Sequence, residues 1–400
     1  MSLFYRVPAP RTPHPALRTS TALALRFVLV ATPTDIIVVG AGVIGCAVAH
    51  EIARRGTSVQ IVDDRAAGMG ATQASAGVLA PYIEAQEGGA LLNLTSRSLD
   101  LFDDFVASVT STSGMTVGYR RTGTLDVALT EDVMRRFVAT ADALARRGVD
   151  VELMDASAAR AQEPHLTADV VGGLSIPSHG FVVAAELTRA LAAAARRHGA
   201  QLIEHGRVRK ISALGDEIVV HTDRGSLSGN GVVLAAGSWA GQVDVDGAER
   251  VPVRPVRGQL LHLGWQGPPL RRVTWSERCY LVPWDDGTLL VGATVEDAGF
   301  DERTTLAGVH DLVEAVVKLT PHAWTASFQA AKVGLRPATP DELPVIGRSA
   351  VLPNLMYATG HYRNGVLLAP LTAKLVADAI LDNKQDPMLE ATRPQRFGRL

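Results

Sequence analysis

Residues 34–64 read TDIIVVGAGVIGCAVAHEIARRGTSVQIVDD. Residues 36–39 are a short apolar run of strand character, and the glycine string Gly40-Ala41-Gly42-Val43-Ile44-Gly45 follows at once. A helical pattern then covers 46–55, Gly56 stops it, and 59–62 read as a second strand closed by Asp63. This is a βαβ unit with a dinucleotide fingerprint. Gly40 makes the tight turn, Gly42 lets the backbone approach a pyrophosphate, and Gly45 lets helix and strand pack closely. The helix N-terminus offers main-chain N–H groups and a positive dipole end to phosphates. Asp63 lies about 20 residues after the glycines, where a carboxylate accepts bonds from ribose hydroxyls. The motif alone leaves open whether the ligand is FAD or a nicotinamide nucleotide.

The chain has 400 residues, more than one typical core, so two domains are expected. Hydrophobic residues make up 47% and charged residues 20%, the balance of an ordinary globular protein. A formal charge of −2 gives no electrostatic reason to expect a nucleic acid or an anionic membrane as partner. Two cysteines make no disulfide framework, which fits a reducing, cytoplasmic setting. No uncharged apolar run reaches the roughly 18 residues of a membrane span. Residues 1–34 differ from the rest: Arg6, Arg11, Arg18 and Arg26, five prolines and no acid. They are expected to be a disordered extension or the product of an upstream start, in preference to a targeting signal.

After Asp64 comes GMGATQASAGVLAP (68–81), small residues that let backbone lie against a flat ligand. An amphipathic helix is expected over 91–109, strands over 118–129, and helices over 131–147, 156–162 and 185–198. GVVLAAG (231–237) reads as a buried strand ending in small residues beside the nucleotide. Alternating β-branched segments over 250–263 and 279–294 read as an antiparallel sheet. A helix is expected over 306–319. A strand over 355–358, the turn GHYRNG (360–365) and a last helix over 366–380, broken near its start by Pro370, repeat the strand–glycine–helix logic of the beginning. The predicted fold class is α/β: a Rossmann-like nucleotide domain on a parallel sheet, interleaved with an α+β substrate domain on an antiparallel one. The nucleotide domain would take 35–115, 170–249 and 334–385, the substrate domain 116–169 and 250–333, and 386–400 a tail.

Arg336 and Arg363 both stand in glycine-bracketed segments that end at the nucleotide. Together they offer two forks for a carboxylate. No His/Cys cluster at metal-ligand spacing is visible. Of the histidines, His50, His179 and His262 read as structural, and His361 stands out by its place in the late glycine turn.

The stretches GAGVIG, ATQASAGVLAP, CYLVPW, LLVGATVEDAGFD, GLRPATPDELPVIG and ATGHYRNGVLLAP recur in the order of a known family. Over about 35–380 the chain resembles the glycine oxidase branch of the D-amino-acid oxidase-like flavoproteins, the branch linked to thiamine biosynthesis. The resemblance implies FAD. It places Val43, Ile44, Asp63 and Asp64 on the ADP part, and Val208 over the adenine. Ala71, Thr72, Ala76, Gly77 and Val78 would line the isoalloxazine, and His361, Tyr362, Arg363, Asn364, Gly365, Val366 and Leu367 its pyrimidine edge. Arg336, Arg363 and Tyr280 would bind the substrate carboxylate, with the flavin itself carrying hydride transfer and no side chain as catalytic base. It implies oxidation of glycine, sarcosine or D-alanine by dioxygen, a homotetramer, and an imine that is either released or passed to a thiazole synthase. Monomeric sarcosine oxidases, similar in fold, attach their flavin through a cysteine at the position of Gly334 here. Cys46 and Cys279 read as structural, so FAD is expected to be non-covalent. D-Amino-acid dehydrogenases share the scaffold but carry a different turn in place of HYRNG. A D-amino-acid or sarcosine dehydrogenase or oxidase on the same scaffold is the alternative enzyme, and a flavin-binding protein without turnover the alternative outside enzymes.

Overall fold

A computed structural model describes residues 34–84 and 89–400. The expectation for residues 1–34 therefore falls, Thr34 apart, outside the described residues. Strand β1 (Thr34–Val39), helix α1 (Val43–Arg54) and strand β2 (Val59–Val62) form the opening unit, with β1 and β2 parallel. Helix α1 starts three residues earlier than its apolar pattern, because Val43 and Ile44 already take helical geometry after extended Gly42.

Around this unit a nine-stranded sheet assembles from distant segments. Gly225–Leu234 pairs in parallel with β1 on one side, and Gln201–Ile203 with β2 on the other. Leu355–Thr359 joins in parallel beyond Gly225–Leu234. Val208–Leu214 and Glu217–Thr222 extend the sheet as antiparallel strands. Helices α1, Ala184–Arg197 and Gly365–Leu381 share one apolar core with this sheet, including Val38, Ile52, Leu191 and Val376.

The second sheet has eight strands and is antiparallel except where Val273–Trp275 runs beside Thr124–Ala128. Its longest strands, Arg254–Gly264 and Ser327–Ala338, pair along their lengths, and Leu306–Leu319 packs on the face carrying Leu261 and Leu263. Gly172–Ile176 also belongs here, between Thr124–Ala128 and Glu152–Asp155. Its fully buried GGLSI sequence satisfies this sheet, although chain position alone groups it with the nucleotide segment. A small sheet of Val78–Leu79, Gly180–Val182 and Tyr119–Arg120 bridges the two.

Two helices depart from expectation. The run over 91–109 is two helices, Gly89–Asp100 and Phe102–Ser113, parted at Leu101. There the Ser98 hydroxyl donates to the Leu367 carbonyl at 2.6 Å and so ties the bend to the last helix. Conversely, Gly365–Leu381 runs unbroken through Pro370, where the lost N–H costs a single bond near the helix start and the helix is buried around most of its circumference.

Candidate active site

One cavity of about 600 Å³ opens between the two large sheets. Its lining begins at Gly40 and Gly42. Gly40 has φ +110°, and an added Cβ would sit 2.4 Å from the Ala235 carbonyl oxygen, so only glycine lets the two parallel strand ends close here. Gly45 does not line the cavity. A Cβ there would fall 1.8 Å from the Gly40 oxygen, so Gly45 is what lets α1 dock on the turn.

Asp63 holds this turn from the next strand. Its carboxylate accepts from the Ala41 N–H at 2.6 Å and the Arg65 N–H at 2.8 Å. Burial nevertheless pushes the Asp63 carboxyl above its ordinary value. The Asp63 N–H donates to the Ile203 carbonyl at 3.0 Å, and Gly206 N–H to the Asp63 carbonyl at 2.8 Å. That ladder brings Val208 to the same end of the cavity as Asp63 and Asp64.

The small-residue segment folds over the opening of α1. The Thr72 hydroxyl accepts from the Val43 N–H at 3.2 Å. Gly77 has φ +67°, and a Cβ there would lie 1.7 Å from the Val182 oxygen, which seats Ala76 and Val78 at the cavity wall. Ala71 and Ala74 abut Gly334, whose added Cβ would approach the Ala74 Cβ to 3.0 Å.

The late turn closes the opposite side. Tyr362 is left-handed at φ +47° and donates its N–H to the Pro337 carbonyl at 2.9 Å. His361 is buried, bonded through Nε2 to the Thr372 hydroxyl at 3.0 Å, and burial lowers its pKa to about 3. It is a neutral structural group at this wall. His50, His179 and His262 are likewise buried, and burial lowers His50 and His262 to about 4 and His179 to about 3. Asn364, Gly365, Val366 and Leu367 complete the turn.

Tyr280, Arg336 and Arg363 line the same cavity. Tyr280 packs its ring 4.8 Å from Trp275, over Gly292, where any Cβ would reach the ring at 2.3 Å. Arg336 lies on Gly258 and donates from Nη1 to the Thr294 carbonyl at 3.0 Å. Arg363 lies 5.2 Å from the Tyr362 ring centroid. The structure thus brings every candidate cofactor and substrate residue to one cavity, Gly45 excepted. Sequence reading missed Trp275, Trp239 and Arg65 in the lining. Arg65 stacks on Trp239 at 4.5 Å and pairs with Glu302 at 2.7 Å. No local pattern marks these partners, because they come from segments far apart in the chain: Arg65 and Trp239 follow different strands of the nine-stranded sheet, and Trp275 stands on the eight-stranded one.

The family model described as FAD dependent oxidoreductase (DAO) matches residues 35–379. The chain belongs to this family. The glycine oxidase of Geobacillus kaustophilus is 34% identical over 86% of this DAO-family chain and 92% of its own. A crystal structure of glycine oxidase from that organism superposes with a TM-score of 0.87, at 32% identity, covering 92% of this chain and 99% of the other. The bifunctional protein ThiO/ThiG of Nostoc sp. (strain PCC 7120) is 36% identical over 89% of this chain. This chain spans about half of that relative's length, 54%.

The DAO-family cofactor, FAD, fits the residues present. Helix α1 and Gly365–Leu381 both start at the cavity, neither takes a side-chain bond from its own N-cap residue, and neither has an acid in its first turn. Two such N-termini on one cavity suit a pyrophosphate at one end and an electron-rich ring edge at the other. Among the described residues no group of His, Cys, Asp and Glu is placed to hold a metal ion, and no helix is long and apolar enough to cross a membrane. Both cysteines are free and buried.

Proposed function

We propose that this chain is an FAD-dependent amino-acid oxidase acting on glycine and small relatives such as sarcosine or D-alanine. The observation that carries the reading is the placement of Arg336, Arg363 and Tyr280 in the cavity at which helix α1 and Gly365–Leu381 both start. Two guanidinium forks and a phenol suit a carboxylate, and the cavity's volume of about 600 Å³ is of a size for a cofactor with a small substrate.

In this reading Gly40, Gly42, Val43, Ile44, Asp63, Asp64 and Val208 hold the ADP part, with Gly45 closing the turn behind them. Ala71, Thr72, Ala76, Gly77 and Val78 line one side of the ring system, and 361–367 its far edge. Arg336 and Arg363 fix the substrate carboxylate and Tyr280 donates to it, so the Cα–H is oriented before any bond breaks. Bound FAD would supply hydride acceptance and return of two electrons to dioxygen as hydrogen peroxide. The imine left behind hydrolyses to a keto acid and ammonia, glyoxylate in the case of glycine. His361 donates no catalytic proton here, since burial keeps it neutral and Thr372 occupies its Nε2. In this reading the flavin is held without a covalent bond: Gly334 stands where the cysteine-linked relatives attach theirs, Cys46 lies outside the cavity lining, and Cys279, which lines it, has its thiol raised by burial to about 11.

The nine-stranded sheet serves FAD and presents Arg363 from the turn after Leu355–Thr359, while the eight-stranded sheet supplies Tyr280 and Arg336 to the substrate. The likeness to ThiO/ThiG supports a place beside thiazole synthase in thiamine biosynthesis. We extend the reading to a cytoplasmic homotetramer, which sedimentation of the purified protein tests.

The deciding experiment is anaerobic titration with glycine, following oxidised-flavin absorption. Bleaching that air reverses with peroxide release is the expected result. Bleaching that needs an added quinone to reverse would move the chain to the dehydrogenases. A flavin that no small amino acid reduces would refute the reading.

A further inference from the structure

Arg336 is aimed by main chain, and one carboxylate places that main chain. Besides its bond to Thr294, Nη1 of Arg336 approaches the Arg257 carbonyl at 3.4 Å. Gly258 lies between the two strands' contacts, and a Cβ on it would meet the guanidinium at 2.3 Å. The guanidinium therefore rests on backbone, and its direction depends on where the carbonyls of Arg257 and Thr294 stand.

Glu296 binds both residues. The N–H of Arg257 donates to the Glu296 carbonyl and the N–H of Glu296 to the Arg257 carbonyl, each at 2.9 Å. The Glu296 carboxylate accepts from Arg257 Nη2 at 2.6 Å and Nε at 3.1 Å. Its other oxygen accepts from the Thr294 hydroxyl and from Gln259 Nε2, the latter at 2.8 Å. Gln259 closes the ring, donating its N–H to the Thr294 hydroxyl at 2.9 Å and accepting the Thr294 N–H on its carbonyl at 3.1 Å. Arg257 and Gln259 are buried, at 7% and 0% exposed, so the network is shielded from solvent on the strand side. Burial pushes the Glu296 carboxyl up, but the bonds from Thr294, Gln259 and Arg257 outweigh it and hold the group below its usual range. A second acid, Asp301, binds the remaining Nη1 of Arg257 at 3.0 Å.

We propose that Glu296 is a positioning residue for the substrate carboxylate: by fixing Thr294 and Arg257 it sets the two carbonyls that direct Arg336 into the cavity. This rests on the reading of Arg336 as a carboxylate site. Glu296 touches no substrate itself. The sequence contains it in LLVGATVEDAGFD, where its spacing from Arg336 gives no hint of the connection. A staple of the fold alone would lower stability and flavin content without separating substrate affinity from turnover.

The test uses flavin-loaded E296Q and T294V, each alone and combined with R336A. Acetate, an inert carboxylate, is titrated against the flavin spectrum for its Kd, and glycine kinetics give KM and kcat separately. E296Q is expected to raise the acetate Kd and the glycine KM about tenfold, with kcat within about twofold and flavin content unchanged. On an R336A background its further effect on the acetate Kd should fall below about twofold, since the aimed group is gone. T294V, which removes the hydroxyl bond to Glu296 at nearly constant shape, should follow E296Q and carries the test if E296Q does not fold. Kd and KM within twofold of the parent in whichever variants fold, or an undiminished effect on R336A, overturns the inference. If glycine bleaches the parent flavin but R336A binds acetate as well as the parent does, the carboxylate assignment fails while the oxidase reading stands. A parent that neither bleaches with glycine nor responds to acetate overturns both.

Discussion

At the Gly40 end of the cavity the working groups are main-chain N–H donors released by missing side chains, whereas at the Arg336 end they are side chains steered by main-chain carbonyls. The first arrangement comes from one continuous stretch, residues 34–64, plus the strand end at Ala235. The second needs Arg257, Gly258, Tyr280, Thr294, Glu296, Arg336 and Arg363, drawn from more than a hundred residues of chain. A large anionic cofactor is served by the first: its phosphates need several short donors and the dipole end of a helix, which only backbone can supply densely. A small carboxylate is served by the second, which needs few groups but a fixed angle. Substitutions should therefore act by volume at one end and by aim at the other.

The largest effect is expected at Gly45. A Cβ there meets the Gly40 oxygen at 1.8 Å and the Gly40 carbonyl carbon at 2.9 Å, both backbone atoms rather than the end of a flexible side chain. Gly45→Val should cost at least about 3 kcal/mol in stability and leave the protein without flavin. Absorbance near the flavin maximum after purification, with a thermal melt, checks this; a yellow, normally melting variant would mean the turn is not the cofactor's seat. Next comes Arg336→Ala. Truncating one partner of a charged bidentate contact costs about 4 kcal/mol, or about 10³-fold in kcat/KM for glycine. The flavin should stay bound, and loss of flavin along with activity would erase the contrast between the two ends.

These two positions also mark how far the sequence could be read. Gly45 is legible because its role is local: strand, glycines and helix follow one another, and each glycine's task is set by neighbours within the motif. The parallel sheet, the antiparallel sheet and most helix limits follow from the same kind of local pattern, and Ala156–Gln162 and Leu306–Leu319 fall where their periodicity puts them. Arg336 and Arg363 were reached through glycine brackets and family likeness, not through any pattern of their own. The bonds of Arg336 to Thr294 and Arg257 were beyond reach, because strand register decides them: Val256 faces Arg336 across the sheet, so the carbonyl of Arg257 falls beside its side chain. The stacking of Arg65 on Trp239 is hidden because it joins two loops that leave different strands and are far apart in the chain. The break at Leu101 and the continuity through Pro370 are tertiary effects that override propensity.

Buried acids sharpen the comparison in a way that pH can probe. Asp63, in the first sheet, receives two main-chain N–H bonds that offset part of its burial. Asp126, on the buried strand Thr124–Ala128 of the second sheet, is pushed by burial up to about 7, with the nearby Glu277 charge adding to the rise and a bond from Val127 opposing it. Its unfolded value is about 3.9. Because the folded state holds this proton more tightly, the stabilisation is complete below about pH 4 and is lost as pH rises through about 7. Asp126→Asn has no proton to lose. Its stability advantage over the parent should thus grow by about 3 kcal/mol from pH 5 to pH 8. Urea unfolding of the loaded protein at the two values measures it, and parallel pH dependence in the two proteins would show that Asp126 is ionised and satisfied.

The smallest effect separates aim from volume within a single side chain. Tyr280 holds its ring against Trp275 at 4.8 Å and lays the hydroxyl end of the ring over Gly292, and phenylalanine keeps the ring carbons of both contacts. Tyr280→Phe therefore keeps the ring that shapes the cavity and removes only the hydroxyl. A hydrogen bond to a charged acceptor contributes about 1.5 kcal/mol, so glycine kcat/KM should fall about tenfold. The loss should lie in KM if the hydroxyl serves the carboxylate equally before and during reaction, and in kcat if it strengthens only as the Cα–H bond breaks. Alanine at the same position removes the ring as well and should lose more, in flavin spectrum as well as in rate. If phenylalanine costs as much as alanine, the hydroxyl carries the whole contribution and the ring none. If phenylalanine costs nothing, Tyr280 acts by filling space, and the substrate end keeps its two arginines as its only aimed groups.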